Sequence, residues 1–414
     1  MKILFTTPVL EYPAAGGGQL RIENSIKALS RLCNIYLISR SPLDIASTSN
    51  ALNFYQSYCQ RIQVTPATRG LSPNRYLRKL QRTISSITGS AVRSDAKFIL
   101  DYVHKYAIDC IWFGYGNISF KLIKRIKSIC PSLKIVCDTD SIWSQFILRE
   151  LPYATGLRRK WIEREGRKKE AEERESVDLC DITTAVSEID ALYYRSIASE
   201  PSRVYLFSNA IDVINYKVAP LPPLNFRKPC IYLAGTFGHY FSPMDLAARW
   251  VLDEVLPLVR ARIPDIHFYI VGKESDRMLG HRSGTNVTVT GKLPSVLPYL
   301  CNADVALVPL KFESGTRFKI LEAGICRIPI VSTELGAEGI PLIDGKDILL
   351  ADDPEDFAAM IIRLIEDPNL SREIAVNCHQ LVSELYSVEA LTIQANKIIS
   401  RLLEVENKIQ KLES

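Results

Sequence analysis

Residues 303–338 read ADVALVPLKFESGTRFKILEAGICRIPIVSTELGAE, and this stretch decides the fold class. An apolar run rich in valine and leucine ends at a polar loop. A segment with apolar residues at helical spacing follows over residues 316–324, and a second β-branched run starts at Ile328. Strand, loop, helix and strand in that order form the repeating unit of parallel α/β sheets. The stretch therefore predicts an α/β fold with a parallel sheet.

The loop of this unit has the composition of an anion site. A Ser-Gly-Thr tripeptide at 314–316 stands where the helix is predicted to begin, so unpaired N–H groups would lie beyond a strand's carboxyl end. Arg317 and Lys319 add two cations, each unfavourable at a helix N-terminus by about 0.3–1 kcal/mol unless an anion compensates. Glu322 can accept hydrogen bonds from sugar hydroxyls. The combination suggests a nucleotide sugar, and an ordinary βαβ unit with a solvated basic turn is the alternative.

The composition is that of an ordinary globular chain, with 47% apolar and 23% charged residues. A length of 414 residues fits two or three domains. The net charge of +5 is mild and permits an anionic substrate or membrane surface. The sequence has no dense Lys/Arg block with interleaved aromatic residues, which argues against nucleic acid as a partner.

The ten cysteines are scattered and lie mostly in apolar runs. The sequence contains no C-x-x-C motif and no His/Cys grouping with zinc spacing, so we expect buried free thiols in a reducing compartment. The N-terminus is too short and too soon polar for a signal peptide. No apolar run approaches the ~20 residues that span a bilayer. These features predict a cytoplasmic protein, with contact to the cytoplasmic face of a membrane left open.

The N-terminal segment contains a second candidate site. A buried-strand pattern over residues 2–7 is followed by a long loop and then by Gly16, Gly17 and Gly18, after which an amphipathic helix begins. This is a dinucleotide-type opening without the G-x-G-x-x-G spacing. Three glycines let a ligand approach the backbone closely, and a flexible turn is the alternative.

Asp138 and Asp140 end another predicted strand, in the sequence Asp-Thr-Asp-Ser. An Asp-x-Asp pair can clamp a divalent metal in transferases. Because no histidine or third carboxylate stands nearby in the sequence, we favour contact with substrate hydroxyls and predict no metal. A role for Asp140 or Ser141 as the N-cap of the next helix is the alternative.

Residues 216–229, YKVAPLPPLNFRKP, carry four prolines without periodicity. Proline fixes φ and lacks an N–H donor, so the segment suits a semi-rigid connector. Since α/β alternation resumes after it, we predict twin Rossmann-like domains facing across a cleft, where ligands are usually held. The predicted first domain comprises residues 1–214, the second residues 215–386, and a returning helix residues 387–414.

Two further stretches bear on partners. Residues 72–90 are basic and loosely amphipathic, and we favour a solvated helix face over an interfacial membrane patch. The last stretch repeats apolar residues at alternating spacings of three and four from Val388 to Leu412. We expect its first half to pack within the chain as one helix face. Residues 402–412 leave a weak homodimer contact open.

The chain resembles the family 4 glycosyltransferases of the GT-B fold over almost its whole length. The resemblance rests on AAGGGQLR, CDTDSIW, AVSEID, SNAID, FYIVGK, VTGKLPSVLPYLCNADVALVPL and, most specifically, SGTRFKILEAG followed by IPIVSTELGAEGI. It implies transfer of a sugar from a nucleotide diphosphate sugar to a glycan, lipid-linked or small-molecule acceptor, with retention at the anomeric carbon and without a metal or other cofactor. The second domain would bind the donor and the first the acceptor, in a setting such as polysaccharide biosynthesis.

The resemblance also assigns residues. Glu322 would hold the ribose hydroxyls, and backbone N–H groups at 315–316 would bind the diphosphate beside Lys319 and Arg317. Charge-assisted hydrogen bonds of this kind contribute roughly 1.5–3 kcal/mol each. The further donor contacts that we predict are Gly17, Gly18, Gly235, Thr236, Lys273, Gly291, Leu293, Ser314, Gly315 and Thr316. The predicted catalytic set is Asp138, Asp140, Glu313 and Lys319.

Two departures from the family pattern matter. Many relatives carry a glutamate eight residues before the position of Glu322, where this chain has Ser314. Either the loop register shifts so that Glu313 faces the sugar, or that role is absent. The usual Arg and Lys after the first strand of the second domain are also missing. His239, or Arg317 and Lys319, would have to neutralise the leaving diphosphate.

Two other functions stay open at this point. A nucleotide-sugar epimerase or phosphorylase on the same fold would need a catalytic acid/base set or a cofactor lysine, and we find neither in the sequence. A non-catalytic two-lobed sugar-nucleotide-binding protein would share the twin α/β units. The missing export signal and the Lys319/Glu322 pair argue against it.

Overall fold

A computed structural model describes residues 1–14, 16–40, 45–65, 89–238 and 240–413, with the side chains of residues 45–48 and 405–413 left aside. The chain divides into two compact units. The first comprises Met1–Ser208 with Leu391–Ser414, and the second comprises Asn209–Ala390. Each unit is built around its own parallel sheet.

The first unit contains a sheet of seven strands among its described residues. They are β1 (Lys2–Thr7), β2 (Asn34–Ser39), β3 (Arg61–Val64), β4 (Cys110–Gly114), β5 (Lys134–Asp138), β6 (Ile182–Ala185) and β7 (Val204–Leu206). Their order is β3-β2-β1-β4-β5-β6-β7, and every pairing is parallel. The helices that connect them are α1 (Gly17–Ser30), α2 (Ile45–Tyr55), α3 (Ser90–Tyr106), α4 (Phe120–Ile129), α5 (Trp143–Leu148), α6 (Gly156–Leu179) and α7 (Glu188–Ile197).

The second unit has six described strands, again all parallel. They are β8 (Cys230–Ala234), β9 (His267–Val271), β10 (Val287–Val289), β11 (Val305–Val308), β12 (Ile330–Ser332) and β13 (Leu349–Leu350), in the order β10-β9-β8-β11-β12-β13. The helices are α8 (Pro243–Trp250), α9 (Leu256–Arg262), α10 (Ser275–Leu279), α11 (Leu297–Leu300), α12 (Phe318–Ile325), α13 (Glu334–Ala337), α14 (Pro354–Glu366) and α15 (Pro368–Leu385).

The central strands are buried along nearly their whole length, which explains their unbroken apolar sequences. In β4 and β9 all five residues are buried, and in β11 all four are. Helices cover both faces of such sheets, so neither face needs polar residues. The predicted α/β class with two Rossmann-like units is confirmed.

The strand order determines where each unit can hold a ligand. In the first sheet the order reverses between β1 and β4, and in the second between β8 and β11. At such a reversal the loops beyond the carboxyl ends of the two strands separate and leave a crevice. In the second unit, that crevice is bounded by the loops that follow Ala234 and Val308.

In the structure, the chain passes from one unit to the other between residues 208 and 209 and again between residues 390 and 391. The boundaries predicted from the sequence lie between residues 214 and 215 and between residues 386 and 387. The physical reason is a short pairing within the second unit. Ile211 forms a parallel bridge with Ser387, and its N–H donates to the carbonyl of Tyr386 at 2.7 Å. This pairing keeps the residues around Ile211 in the second unit.

The last helix, α16 (Val388–Glu413), packs its first half on the first unit. Leu391, Ala395, Ile398 and Leu402 are buried. Two hydrogen bonds fix the helix there: Ser208 N–H donates to Gln394 Oε1 at 2.8 Å, and Lys134 Nζ donates to the Leu402 carbonyl at 2.9 Å. These contacts agree with the intramolecular packing expected for the first half.

Some predictions fall where nothing is described. Most of the basic stretch 72–90, His239, and the side chains beyond Glu404 in α16 lie outside the described residues. The membrane patch and the dimer contact predicted there stay predictions. Within the described part of the chain, no helix combines the length and the apolar character needed to cross a bilayer.

Candidate functional site

Three glycines meet at the carboxyl edge of the second sheet. Gly235, Gly272 and Gly291 follow β8, β9 and β10 directly or after one residue. Gly272 has φ +126°, and a Cβ there would clash with the carbonyl oxygen of Gly235. The Gly272 N–H donates to the carbonyl of Gly291 at 3.1 Å. The structure thus places Gly235 and Gly291, both predicted donor contacts, on one edge of the sheet with Gly272, to which the sequence analysis gave no role.

The other residues predicted on this edge differ in exposure. Thr236 and Lys273 are exposed, while Leu293 is half-buried. Phe237 N–H donates to the carbonyl of Lys273 at 2.9 Å, so the loops after β8 and β9 are joined. The edge therefore presents small residues, with the exposed cations Lys273 and Lys292 beside them.

The loop after β11 carries the Ser-Gly-Thr tripeptide. Gly315 has φ +78°, a left-handed conformation that favours glycine. Arg317 is extended, and α12 begins at Phe318, two residues later than predicted, because these residues have non-helical backbone angles. Among the described residues, the N–H groups of Gly315 and Thr316 donate to no protein acceptor. Unsatisfied donors of this kind are available for an anion.

A residue far away in sequence holds this loop. Asn209 Nδ2 donates to Thr316 Oγ1 at 2.6 Å and to the Thr316 carbonyl at 3.2 Å. Both side chains are buried. Asn209 lies in the SNAID motif, which marked the segment without indicating the contact. We conclude that the loop conformation depends on Asn209.

Arg317 does not have the geometry expected of a phosphate partner. Its side chain is buried, Nη1 donates to the carbonyl of Gly315, and Nη2 donates to the carbonyl of Leu335 at 3.3 Å. The guanidinium therefore stabilises the loop from within. The predicted role of Arg317 as a charge partner for phosphate is corrected to a positioning role.

Lys319 and Glu322 lie on one face of α12, three residues apart, and both are half-buried. Within the described residues, Lys319 forms no ion pair. Burial lowers the pKa of Lys319, and the charge of Glu313 partly offsets this. Burial raises the pKa of Glu322. Two neighbours partly offset this increase: the Tyr216 hydroxyl, which lies 3.2 Å from Glu322 Oε1, and the charge of Lys319.

This arrangement can bind two kinds of group side by side. An ammonium group partly removed from water and without an ion pair attracts an anion, and a carboxylate accepts hydrogen bonds from hydroxyls. Tyr216 was missed by sequence reasoning, since it lies in the proline-rich connector and meets Glu322 only in the folded chain.

Glu313 and Ser314 are half-buried in the same loop. Glu313 Oε1 accepts a hydrogen bond from the Ser314 N–H at 3.3 Å. The carboxylate thus contacts the backbone of its own loop. Whether Glu313 takes the place of the family's glutamate stays a prediction.

In the first unit, Gly17 is the first residue of α1 and Gly18 follows it. A Cβ on Gly18 would clash with the hydroxyl of Tyr115, which lies after β4. Gly18 therefore has a packing reason to be glycine, independent of any ligand. Tyr115 was not singled out from the sequence, because nothing local connects it to Gly18.

Asp138 is 0% exposed at the end of β5. It forms an ion pair with Arg21 and accepts a hydrogen bond from Thr184 Oγ1 at 2.8 Å. Arg21 Nη2 also donates to the carbonyls of Thr139 and Phe207, at 2.9 and 3.1 Å. The predicted sugar contact of Asp138 is therefore corrected: the carboxylate joins α1 to the sheet.

Asp140 is half-buried, and its Oδ1 accepts hydrogen bonds from Asn117 Nδ2 at 2.6 Å and Trp143 Nε1 at 3.0 Å. Burial raises its pKa, which these two hydrogen bonds partly offset. The N-cap alternative is wrong, because α5 begins at Trp143 without a side-chain cap. Asp140 keeps partial access to solvent at this edge of the first sheet.

Comparison with known proteins adds independent information. Residues 232–367 match the family model described as "Glycosyl transferases group 1". The chain is 27% identical over 140 residues to the lipopolysaccharide core biosynthesis glycosyltransferase LpsE of Rhizobium meliloti (strain 1021). The aligned region covers 32% of this chain and 41% of that protein. It is 26% identical over 159 residues to an uncharacterized 44.6 kDa protein in the cps region of Klebsiella pneumoniae, 36% of this chain and 41% of that one. The chain thus spans less than half the length of these relatives.

Solved structures resemble the whole chain. The structure of Anabaena Alr3699/HepE in complex with UDP-glucose has a TM-score of 0.66 at 13% identity, covering 97% of this chain and 100% of that one. Sucrose-phosphate synthase (tll1590) from Thermosynechococcus elongatus has a TM-score of 0.69 at 16% identity, covering 98% and 100%. At these identities the likeness shows the fold, which is the predicted GT-B fold. By sequence, the match to the glycosyl transferases group 1 family is confined to residues 232–367, in the second unit.

Proposed function

We propose that this protein is a retaining glycosyltransferase that moves a sugar from a nucleotide diphosphate sugar to an acceptor. The family match in the second unit and the glycosyltransferase among its relatives support a transferase. The observation that carries the proposal is that Lys319, which forms no ion pair with any described residue, lies on the same face of α12 as Glu322. Just before that pair, the N–H groups of Gly315 and Thr316 donate to no acceptor among the described residues.

In this proposal the diphosphate lies against the N–H groups of Gly315 and Thr316 and beside Lys319. Glu322 accepts hydrogen bonds from the ribose hydroxyls, with its carboxylate oriented by Tyr216. The nucleobase lies near Lys273 and the turn that begins at Gly291. Asn209 and Arg317 touch no ligand and keep the loop in shape.

The chemical step requires stabilisation of charge on the leaving diphosphate. As the bond between the anomeric carbon and the phosphate oxygen breaks, negative charge grows on the diphosphate. Lys319 and the loop N–H groups lie ready to neutralise it without reorganisation. Loss of one such donor typically costs roughly 10²–10³ in kcat. Glu313 would face the sugar, and no metal is assigned a role.

The acceptor is proposed to bind the first unit, near the edge that presents Asp140. A glycan or lipid-linked glycan is the class that we propose. One relative is named for lipopolysaccharide core biosynthesis, and another is encoded in a cps region, which supports this class.

A thermal-shift screen against UDP-, GDP-, dTDP- and ADP-sugars tests the proposal. A donor at about 100 times its Kd stabilises the protein by about 2.7 kcal/mol. Lys319→Ala should lose most of that shift. Lys346→Ala should keep it, because Lys346 is exposed on a loop away from α12. Equal shifts in both variants would remove Lys319 from the site.

Incubation with the identified donor separates the other functions. Transfer to an acceptor, with slow hydrolysis in its absence, is expected of a glycosyltransferase. An epimerised sugar nucleotide formed without an acceptor would favour an epimerase. Binding without transfer or hydrolysis would favour a non-catalytic binding protein.

A further inference from the structure

Two cysteine thiols touch in the second unit, close to the proposed donor site. Cys301 follows α11, and Cys326 caps the C-terminal end of α12. Their Sγ atoms are 3.5 Å apart, and both residues are half-buried. We infer that Cys301 and Cys326 form a reversible disulfide that alters the helix carrying Glu322.

The geometry requires only a small movement. A disulfide has an S–S distance of about 2.05 Å, so the two sulfurs must approach by about 1.5 Å. The Cys326 N–H donates to the carbonyl of Glu322 at 3.1 Å. Movement of Cys326 toward Cys301 therefore pulls on the last turn of α12, to which Glu322 belongs.

The chemistry is thiol–disulfide exchange with a small disulfide such as oxidised glutathione. The hydrogen bond between the two thiols lowers the pKa of the Cys301 thiol and favours its thiolate. The Cys301 thiolate attacks one glutathione sulfur, and a glutathione thiolate leaves. Cys326 then loses its proton to solvent and attacks the Cys301 sulfur, which releases the second glutathione thiolate. Two protein thiols are oxidised and one glutathione disulfide is reduced.

Another cysteine pair serves as an internal comparison. Cys137 and Cys180 interact in the first unit, but both are fully buried. Exchange needs access for the incoming disulfide. The half-buried pair at Cys301 and Cys326 should therefore react, whereas Cys137 and Cys180 should not.

The crosslink is tested on the full chain treated with oxidised glutathione and mapped by peptide mass spectrometry. We expect a Cys301–Cys326 crosslinked peptide that disappears with dithiothreitol. Cys301→Ser and Cys326→Ser should each abolish it. Cys130→Ser should keep it, because Cys130 is equally half-buried but lies in the first unit. Free thiols, or only glutathione adducts, at both positions would overturn the inference.

The effect of the disulfide on α12 is tested separately, by measuring donor affinity. This part of the inference rests on the proposed function. Oxidised wild-type protein should bind the nucleotide sugar several-fold more weakly than reduced protein, and Cys326→Ser should bind equally in both conditions. A crosslink with unchanged donor affinity would overturn the coupling to Glu322. If no sugar nucleotide binds in either state, the proposed function fails while the mapped crosslink still stands.

A second, independent observation concerns the start of α6. Leu157 and Trp161 are four residues apart within α6, which places them on one side of its first turns. Leu157 is 85% exposed and Trp161 60%. Soluble proteins rarely leave large apolar side chains together on the surface unless they contact a partner.

The charges around this stripe favour an anionic partner. Residues 158–168 contain six cations and two acids, a net charge of +4, although Arg158, Arg159 and Lys168 form ion pairs with Glu150, Glu163 and Glu165. The cations are Arg158, Arg159, Lys160, Arg164, Arg167 and Lys168, and all six are exposed. A Trp/Leu stripe flanked by lysine and arginine is the pattern of a helix that lies in the interface of an anionic bilayer. We propose that Leu157, Trp161 and these cations bind an anionic membrane surface.

Co-sedimentation of the full chain with vesicles tests this surface. Binding to phosphatidylcholine vesicles that contain phosphatidylglycerol should exceed binding to pure phosphatidylcholine and fall as salt rises. The double variant Leu157→Ser/Trp161→Ser should lose it. Leu224→Ser, which removes an exposed leucine from the connector, should retain it. Binding by the double variant equal to wild type, no binding by wild type, or a dimer formed through Trp161 would overturn the proposal.

Discussion

At the scale of single residues, Lys319 and Glu322 share one turn of α12 but are affected oppositely by burial. Burial lowers the pKa of the lysine and raises that of the carboxyl, and each partly restores the charge of the other. A bound diphosphate would supply the missing negative charge beside Lys319. The pair therefore favours a ligand that brings phosphate and hydroxyl groups together.

Lys319→Ala should lower kcat by roughly 10²–10³, since it removes a charge that stabilises the leaving diphosphate. Steady-state kinetics with the donor found in the screen would measure this. Lys346→Ala is the matched control. Wild-type turnover in Lys319→Ala would contradict the assignment.

Tyr216→Phe should shift the pH dependence of donor binding. The Tyr216 hydroxyl favours the ionised form of Glu322, so its loss raises the pKa of Glu322 further. Binding needs the carboxylate, so affinity falls as pH falls through that pKa. The acidic limb of a plot of donor affinity against pH should therefore move to higher pH. An acidic limb unchanged from wild type would show that Glu322 does not govern binding.

At the scale of elements, the loop between β11 and α12 owes its shape to contacts with other elements. Asn209, more than 100 residues earlier in the sequence, donates a hydrogen bond to Thr316. The buried Arg317 guanidinium donates hydrogen bonds to the carbonyls of Gly315 and Leu335. Phosphate-binding loops work because their N–H groups are aimed before the ligand arrives. The elements around the loop thus provide the preorganisation.

Asn209→Ala should raise the KM for the donor more than it lowers kcat, because it loosens the loop without removing a charge. Loss of two hydrogen bonds from a buried site costs about 1–3 kcal/mol of stability. Kinetics and thermal unfolding would measure both effects. Asn215→Ala, an exposed asparagine a few residues on, should change neither. Equal kinetics for Asn209→Ala and wild type would show that the loop is held by other contacts.

At the scale of the whole molecule, each unit has its own sheet and its own core. The first unit depends on the buried Arg21–Asp138 ion pair, which joins α1, β5 and the segment after β7. Breaking a buried ion pair by removing one partner typically costs about 3–5 kcal/mol, because the other charge remains buried.

Arg21→Met should therefore destabilise the first unit by about 3–5 kcal/mol and leave the second largely unaffected. Amide hydrogen exchange measures the stability of each unit separately. We expect faster exchange in β1 and β5 of the first unit and little change in β8 and β9 of the second. Asp265→Asn, on an exposed residue, is the control. Uniform loss of protection across both units would show that they do not unfold independently.

The sequence by itself determined the α/β class, the two units and the segment that carries Lys319 and Glu322. Those features depend on local periodicity and on a motif contained within residues 314–340. Helix α12 nevertheless starts later than its periodicity indicates, because Gly315 has a left-handed backbone conformation and Arg317 an extended one.

Only the tertiary structure decided which of the predicted polar residues are held by contacts within the fold. Asp138 and Arg317 looked like ligand contacts because charged residues at strand and helix ends often are, yet both are buried against partners distant in sequence. The contacts of Asn209 with Thr316 and of Tyr216 with Glu322 likewise span more than 100 residues. No local pattern encodes such pairs, since they come together only when parallel strands align their carboxyl ends along one edge of a sheet.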